Sequence, residues 1–222
     1  MASLSDVRPG DIGFGPIHGA AGAGVGAGQL LLSLAEPGLV IKTKPREWWR
    51  KRHVIVVTEA ARYEKYARHP SAVQAMPGGA EEIELAPETH WTAEWTFIRP
   101  QYDRGSSFEI GYENRSQGFK VARAARGFVG TPYDFLTYGA IPLYRRGVRT
   151  ERIKQIISGT DTMMCSRLAD AALEAAGWNV FDDGRMRGNV TPSELYRALM
   201  RQGHGPAMVL EPGRRIDKWW RD

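Results

Sequence analysis

Cys165-Ser-Arg-Leu-Ala-Asp-Ala-Ala-Leu-Glu-Ala-Ala-Gly177 is the stretch on which the fold turns. Cys165, Leu168, Ala169, Ala172 and Ala176 recur at the spacing of one helix face. Gly177 suits the position just past a helix end, where the chain turns left-handed. A helix over 165–176 is expected, with Cys165 in its first turn. There the backbone N–H groups lack intrahelical partners and the helix dipole is positive. Both favour a thiolate over a thiol. The same N–H groups can hold the oxyanion of an acyl-transfer transition state.

Cys165 is the only cysteine in 222 residues, which excludes an internal disulfide. A cysteine-based zinc site would also need more of them. A lone cysteine is as readily a small buried hydrophobe, so the nucleophile reading needs a base. Five histidines are present: His18, His53, His69, His90 and His204. Only His53 opens a long β-branched strand, His53-Val-Ile-Val-Val57. An ionisable group at the mouth of a buried strand can face a cleft. The other four fall in loops or polar segments.

A base in turn needs a group that fixes its ring. Gln74 is a polar residue inside the apolar run Val73 to Met76. If that run pairs beside the strand starting at His53, its amide can meet the imidazole. Glu59 shares strand parity with His53, but at about 3.3 Å per residue it lies roughly 20 Å along. Glu64 is reachable only if the chain folds back. Taken singly, His53 could cap a strand and Gln74 could be a satisfied buried amide. The catalytic reading rests on the three together.

Working outward, Arg8-Pro9-Gly10-Asp11 signals a turn into a short strand over 11–14. Residues 72–75 read as a strand turned at Met76-Pro-Gly-Gly79, and Glu82-Ile-Glu-Leu85 alternates as a half-exposed one. Residues 95–98 are one more strand, and 207–210 a closing one. Residues 61–68 are polar and suit a short helical insertion. Residues 117–129 read as a helix with Gly130 at its end. Residues 135–150 show no clear period. Thr191-Pro-Ser-Glu194 is a capping box with proline at the first helical position, opening a helix to about Met200. Strands dominate the middle with helices at both ends of the pattern, an α+β layout without regular βαβ alternation.

Thirty Lys and Arg against 25 Asp and Glu leave a net charge of +5, which favours an anionic partner such as a cell-wall polymer or a phospholipid surface. No basic block interleaved with aromatics points to specific nucleic-acid recognition. Gly22-Ala-Gly24-Val-Gly26-Ala27 fits a dinucleotide fingerprint superficially. It lacks the following strand with an acidic residue about 20 residues on, so no cofactor is expected, nor a metal. The first 15 residues lack a basic region followed by an apolar stretch, so the reading is of an unexported chain. The apolar run 29–34 is far too short to span a bilayer.

The ordered motifs resemble the NlpC/P60 superfamily, in its circularly permuted papain-like branch, which includes YiiX-like hydrolases and lecithin–retinol acyltransferase-like proteins. The matching pieces are Arg8-Pro-Gly-Asp-Ile-Gly-Phe14, His53-Val-Ile-Val-Val57, Val73-Gln-Ala-Met-Pro-Gly-Gly79, Gly130-Thr-Pro-Tyr-Asp-Phe135, Met164-Cys-Ser-Arg-Leu168 and Val190-Thr-Pro-Ser-Glu-Leu195. In that branch the histidine precedes the cysteine. The resemblance implies one domain over 1–222, with insertions near 15–45 and 136–160. It implies a small antiparallel sheet packed against helices. It makes Cys165 the nucleophile, His53 the base and Gln74 the third polar group, where many relatives carry Glu. Trp49, Tyr133 and Arg167 are the candidate substrate-binding residues. Arg167 stands where many relatives have Glu, and could meet an anionic substrate group or pair with Asp170.

The resemblance thus leads to the expectation of a thiol hydrolase acting on a peptide or isopeptide bond of bacterial peptidoglycan. Without a leader it would stay cytoplasmic as made or reach the wall as a bacteriophage tail component, with other tail proteins as partners. A second expectation is lipid acyl hydrolysis or transfer, with Trp48-Trp49 and the Trp219-Trp220 tail at a membrane. Paired tryptophans more often pack than touch lipid. A third is a non-catalytic module of a virion that retains the fold.

Overall fold

The computed structural model describes residues 6–16, 53–60, 69–85, 95–100, 117–159, 161–186 and 188–202, and the backbone of 206–210. In chain order these hold β1 (Ile12–Gly15), β2 (His53–Glu59), β3 (Ser71–Met76), β4 (Gly79–Glu84), β5 (Trp95–Ile98), α1 (Gln117–Arg126), α2 (Leu136–Arg145), α3 (Glu151–Ser158), α4 (Cys165–Ala175), α5 (Pro192–Arg201) and β6 (Pro206–Leu210). The class is α+β. The strands form one antiparallel sheet in the order β4-β3-β2-β1-β5-β6. Trp49, the glycine-rich segment of 22–27, His18, His90, His204, Glu64, residues 61–68 and the Trp219-Trp220 tail lie outside the described residues.

β2 sits inside the sheet, and both its faces are covered. Val54 and Val56 pack with Phe14, Val73, Val121 and Leu168 on the helix side. Ile55 and Val57 pack with Val7, Leu85 and Phe97 on the other. That double burial is why His53 to Val57 reads as a continuous apolar run rather than an alternation. α1 and α4 both lie across β2. The face of α4 given by Cys165, Leu168, Ala169 and Ala172 is wholly buried there. At its end Gly177 takes φ +85°, a left-handed value that a Cβ would strain.

The helix expected over 117–129 stops at Arg126 and tightens through a turn, with Phe128 N–H donating to Ala125 C=O at 3.0 Å. Residues 135–150, which lack a clear period, carry α2. Its apolar residues fall on both sides. Tyr138, Ala140 and Ile141 are buried, while Leu136 and Leu143 are 71% and 47% exposed. Pro142 also lies inside the helix. An apolar residue on every side cancels the moment that marks an amphipathic helix. α3 is short, with Ile153, Ile156 and Ile157 on one face against a neighbouring core cluster. It is mostly polar, with Ile157 its one fully buried residue.

The capping box at α5 is complete: Thr191 Oγ1 accepts from Glu194 N–H, and Glu194 Oε2 accepts from Thr191 N–H at 3.0 Å. Arg145 Nη2 also donates to Glu194 Oε2 at 2.8 Å, tying α2 to this helix start. Thr191→Ala is expected to cost about 1–2 kcal/mol, the upper part of the range for a lost cap. Urea denaturation should show a lower midpoint at unchanged slope; an unmoved midpoint would mean that the cap contributes nothing.

Candidate active site

α4 begins at Cys165, and its N-cap is Met164, with extended backbone and no side-chain cap. An apolar residue thus stands where Ser, Thr, Asp or Asn would accept a first-turn N–H. Those donors and the helix dipole are left for whatever negative charge forms at the thiol. Ser166 Oγ donates to Val190 C=O at 2.7 Å and pins the helix start. Cys165 itself is buried.

His53 is the first residue of β2. Strand parity puts it with Ile55 and Val57, away from the helix-side face. Cys165 belongs to the helix-side cluster. The two meet because His53 stands at the end of its strand. Gly15 is its partner on β1. A Cβ at Gly15 would fall 2.3 Å from the Trp95 indole. The glycine therefore admits the indole, which packs edge-on to the imidazole with centroids 6.1 Å apart.

β3 pairs antiparallel with β2, with Gln74 opposite Ile55. Gln74 Oε1 accepts from His53 Nε2 at 2.8 Å. Gln74 Nε2 donates to Glu81 Oε1 at 2.9 Å. His53 Nδ1 is buried without a hydrogen-bond partner of ordinary geometry. The Cys165 thiol nevertheless acts strongly on the ring, and the ring on the thiol. Catalytic hydrogen bonds are often long or poorly aligned without substrate.

Burial pushes the Cys165 thiol up. The neighbouring His53 ring and its charge, then the Tyr138 hydroxyl and the Val54 N–H, together outweigh burial and hold it below the usual thiol value. Burial pushes His53 down. Its contacts with Cys165 and Gln74 outweigh that and raise it above the usual imidazole value. Opposite shifts in a neighbouring acid and base favour movement of the thiol proton toward the ring.

Tyr138 carries no sequence signal, because it lies in the stretch without a period. Its Oη is 3.7 Å from Cys165 Sγ. Tyr133 stacks on it at 6.5 Å, and Phe135 meets Tyr133 edge-on at 4.7 Å. Burial and then the charge on Cys165 push both tyrosines well above the usual phenol value. Each keeps its proton, so the Tyr138 hydroxyl can donate to a negative centre at the sulfur. Tyr133 thus lines the site through Tyr138.

Arg167 is placed differently. Its side chain is buried, and Nη1 donates to Ile157 C=O at 3.5 Å. The carboxylate whose charge it feels is Asp134. It makes no pair with Asp170. That group is pushed up to about 6 by burial and by Glu174, with Arg185 as its opposing cation. Among the described residues no cluster of three or more His, Cys, Asp or Glu could hold a metal. Comparison with protein-family models and with curated protein sequences found no match.

Proposed function

We propose that this chain is a cysteine hydrolase of the permuted papain-like class in the NlpC/P60 superfamily, cleaving a peptide or isopeptide bond of peptidoglycan. The observation that carries the reading is the array of a helix-start thiol, an imidazole beside it and an amide carbonyl on the far ring nitrogen. The histidine strand precedes the cysteine helix in the chain, as the permuted order requires. The Cys165 thiolate attacks the amide carbon. Negative charge builds on the carbonyl oxygen, within reach of the first-turn N–H groups and the Tyr138 hydroxyl. His53 gives its Nδ1 proton to the leaving amine, forming the acyl-enzyme. It then takes a proton from water, whose oxygen attacks the acyl carbon, releasing the acid and restoring the thiolate beside the protonated ring.

The net charge of +5 suits an anionic wall polymer. A bacteriophage tail is one setting in which such an activity would meet the wall. One observation favours a second reading. Phe135 and Leu136 are 59% and 71% exposed beside Tyr133, as a lipid acyl substrate would want.

Digestion of purified peptidoglycan should release new amino groups and cleaved muropeptides by mass spectrometry, and Cys165→Ala should not. Release of fatty acid from phospholipid vesicles, with intact peptidoglycan, would transfer the mechanism to the lipid reading. If Cys165 reacts with iodoacetamide at pH 7 no faster than glutathione does, both enzymatic readings fall and a non-catalytic module remains.

A further inference from the structure

We propose that Glu81 is a positioning residue that sets the tautomer of His53 through the Gln74 amide; the inference rests on reading Cys165 and His53 as nucleophile and base. Gln74 and Glu81 stand directly opposite each other across β3 and β4. Their side chains therefore share a face, with Cβ atoms about 4.5–5.5 Å apart. The carboxylate of Glu81 takes the amide nitrogen of Gln74 at 2.9 Å. On the other side, the amide oxygen lies 2.8 Å from His53 Nε2.

Donors and acceptors decide the orientation. A carboxylate only accepts, so the Gln74 atom facing Glu81 must be the NH₂. The amide oxygen then faces His53, and an amide oxygen also only accepts. The hydrogen of a neutral imidazole must therefore sit on Nε2. That leaves the lone pair on Nδ1, the buried nitrogen without a hydrogen bond. It is the nitrogen that can take the thiol proton.

Without Glu81 the amide has no reason to keep this orientation. Turned by half a revolution, Gln74 would offer NH₂ to Nε2 and favour a hydrogen on Nδ1. A base in that tautomer cannot receive a proton from Cys165. Glu81 thus answers how glutamine serves where a carboxylate is expected: the carboxylate stands one residue further out and acts through the amide. Glu81 is solvent-exposed, so it makes no demand on the core.

The test is the glutamine variant, in which either amide orientation can be satisfied. ¹⁵N spectra of His53, taken in a Cys165→Ala background above the imidazole titration, should show the Nε2–H tautomer with Glu81. Glu81→Gln should give a mixture or the Nδ1–H form. With the cysteine present, Glu81→Gln should slow iodoacetamide alkylation of Cys165 at pH 7 by at least about tenfold, because a base in the wrong tautomer is costly. Adding Gln74→Glu should restore the rate, since a glutamate there accepts from Nε2 without help. An unchanged tautomer in Glu81→Gln, with unchanged alkylation, overturns the proposal. Failure of the dyad reading looks different: His53→Ala would then leave alkylation unchanged while the tautomer still answered to Glu81.

Discussion

His53→Ala lowers the alkylation rate of Cys165 at pH 7 by about tenfold or more, and amide hydrolysis by about 10²–10⁴-fold. The two numbers have different origins. An ordinary thiol with a pKa near 8.5 is only about 3% thiolate at pH 7. In this protein burial pushes Cys165 above the ordinary value, and His53 opposes that push more strongly than any other group. Without the imidazole the opposition falls to the Tyr138 hydroxyl and the Val54 N–H. The thiolate fraction then drops to the ordinary level or below. Hydrolysis loses more, because the imidazolium also protonates the leaving amine.

The pH profile gives the sign. The Cys165 pKa is depressed and the His53 pKa raised. Wild-type reactivity should therefore begin below the usual thiol range and hold through neutral pH. The two titrations are coupled, so the apparent values belong to the pair rather than to either residue. In His53→Ala the plateau disappears and reactivity rises only in alkaline solution. A stopped-flow alkylation series from acid through alkaline pH reads this directly. A profile that does not move on losing His53 means that the thiol is not activated by it.

Much of this site is legible in the residues themselves. The helix starting at Cys165 declares itself through one apolar face and a terminal glycine. The strand at His53 declares itself through β-branched residues, and Gln74 stands out as polar inside an apolar run. What joins them is antiparallel pairing of β2 with β3, a long-range condition that the residues alone leave open. Glu81 has a subtler signal. With Pro77-Gly78 as the turn, Met76 faces Gly79 and the register puts Gln74 opposite Glu81. Tyr138 has no such signal. It reaches the sulfur from a helix whose apolar residues point both inward and outward. Arg167 shows the converse, since its position in a motif does not foretell its burial against Ile157 C=O.

Arg99→Met should lower stability at pH 7 by about 2–3 kcal/mol, and by much less near pH 4. The motive is Asp11, a carboxylate only 1% exposed at the entry to β1. Arg99 holds it with two hydrogen bonds, Nε to Oδ1 at 2.9 Å and Nη2 to Oδ2 at 2.8 Å. Arg8 N–H adds a third at 2.9 Å. The turn at Arg8-Pro-Gly-Asp11 is readable locally, but its counter-ion is 88 residues away. Removing one partner of a buried pair typically costs about 3–5 kcal/mol, because the other charge is left stranded. Arg99 is 38% exposed, so solvent screening puts the expectation below that range. Burial already pushes the Asp11 pKa above its ordinary value, against the opposing pull of Arg99 and Arg8. A raised carboxyl pKa contributes stability below the unfolded value and loses it as pH rises through the folded one. Without Arg99 the folded pKa climbs further and the loss at neutral pH deepens, while protonation near pH 4 relieves it. Urea midpoints at pH 7 and pH 4 test this, with Asp11→Asn combined with Arg99→Met as the partner measurement. The double variant has no charge to strand, so its deficit should be smaller at pH 7 and nearly flat with pH. A single-variant deficit equal at both pH values would show that Arg99 contributes packing alone.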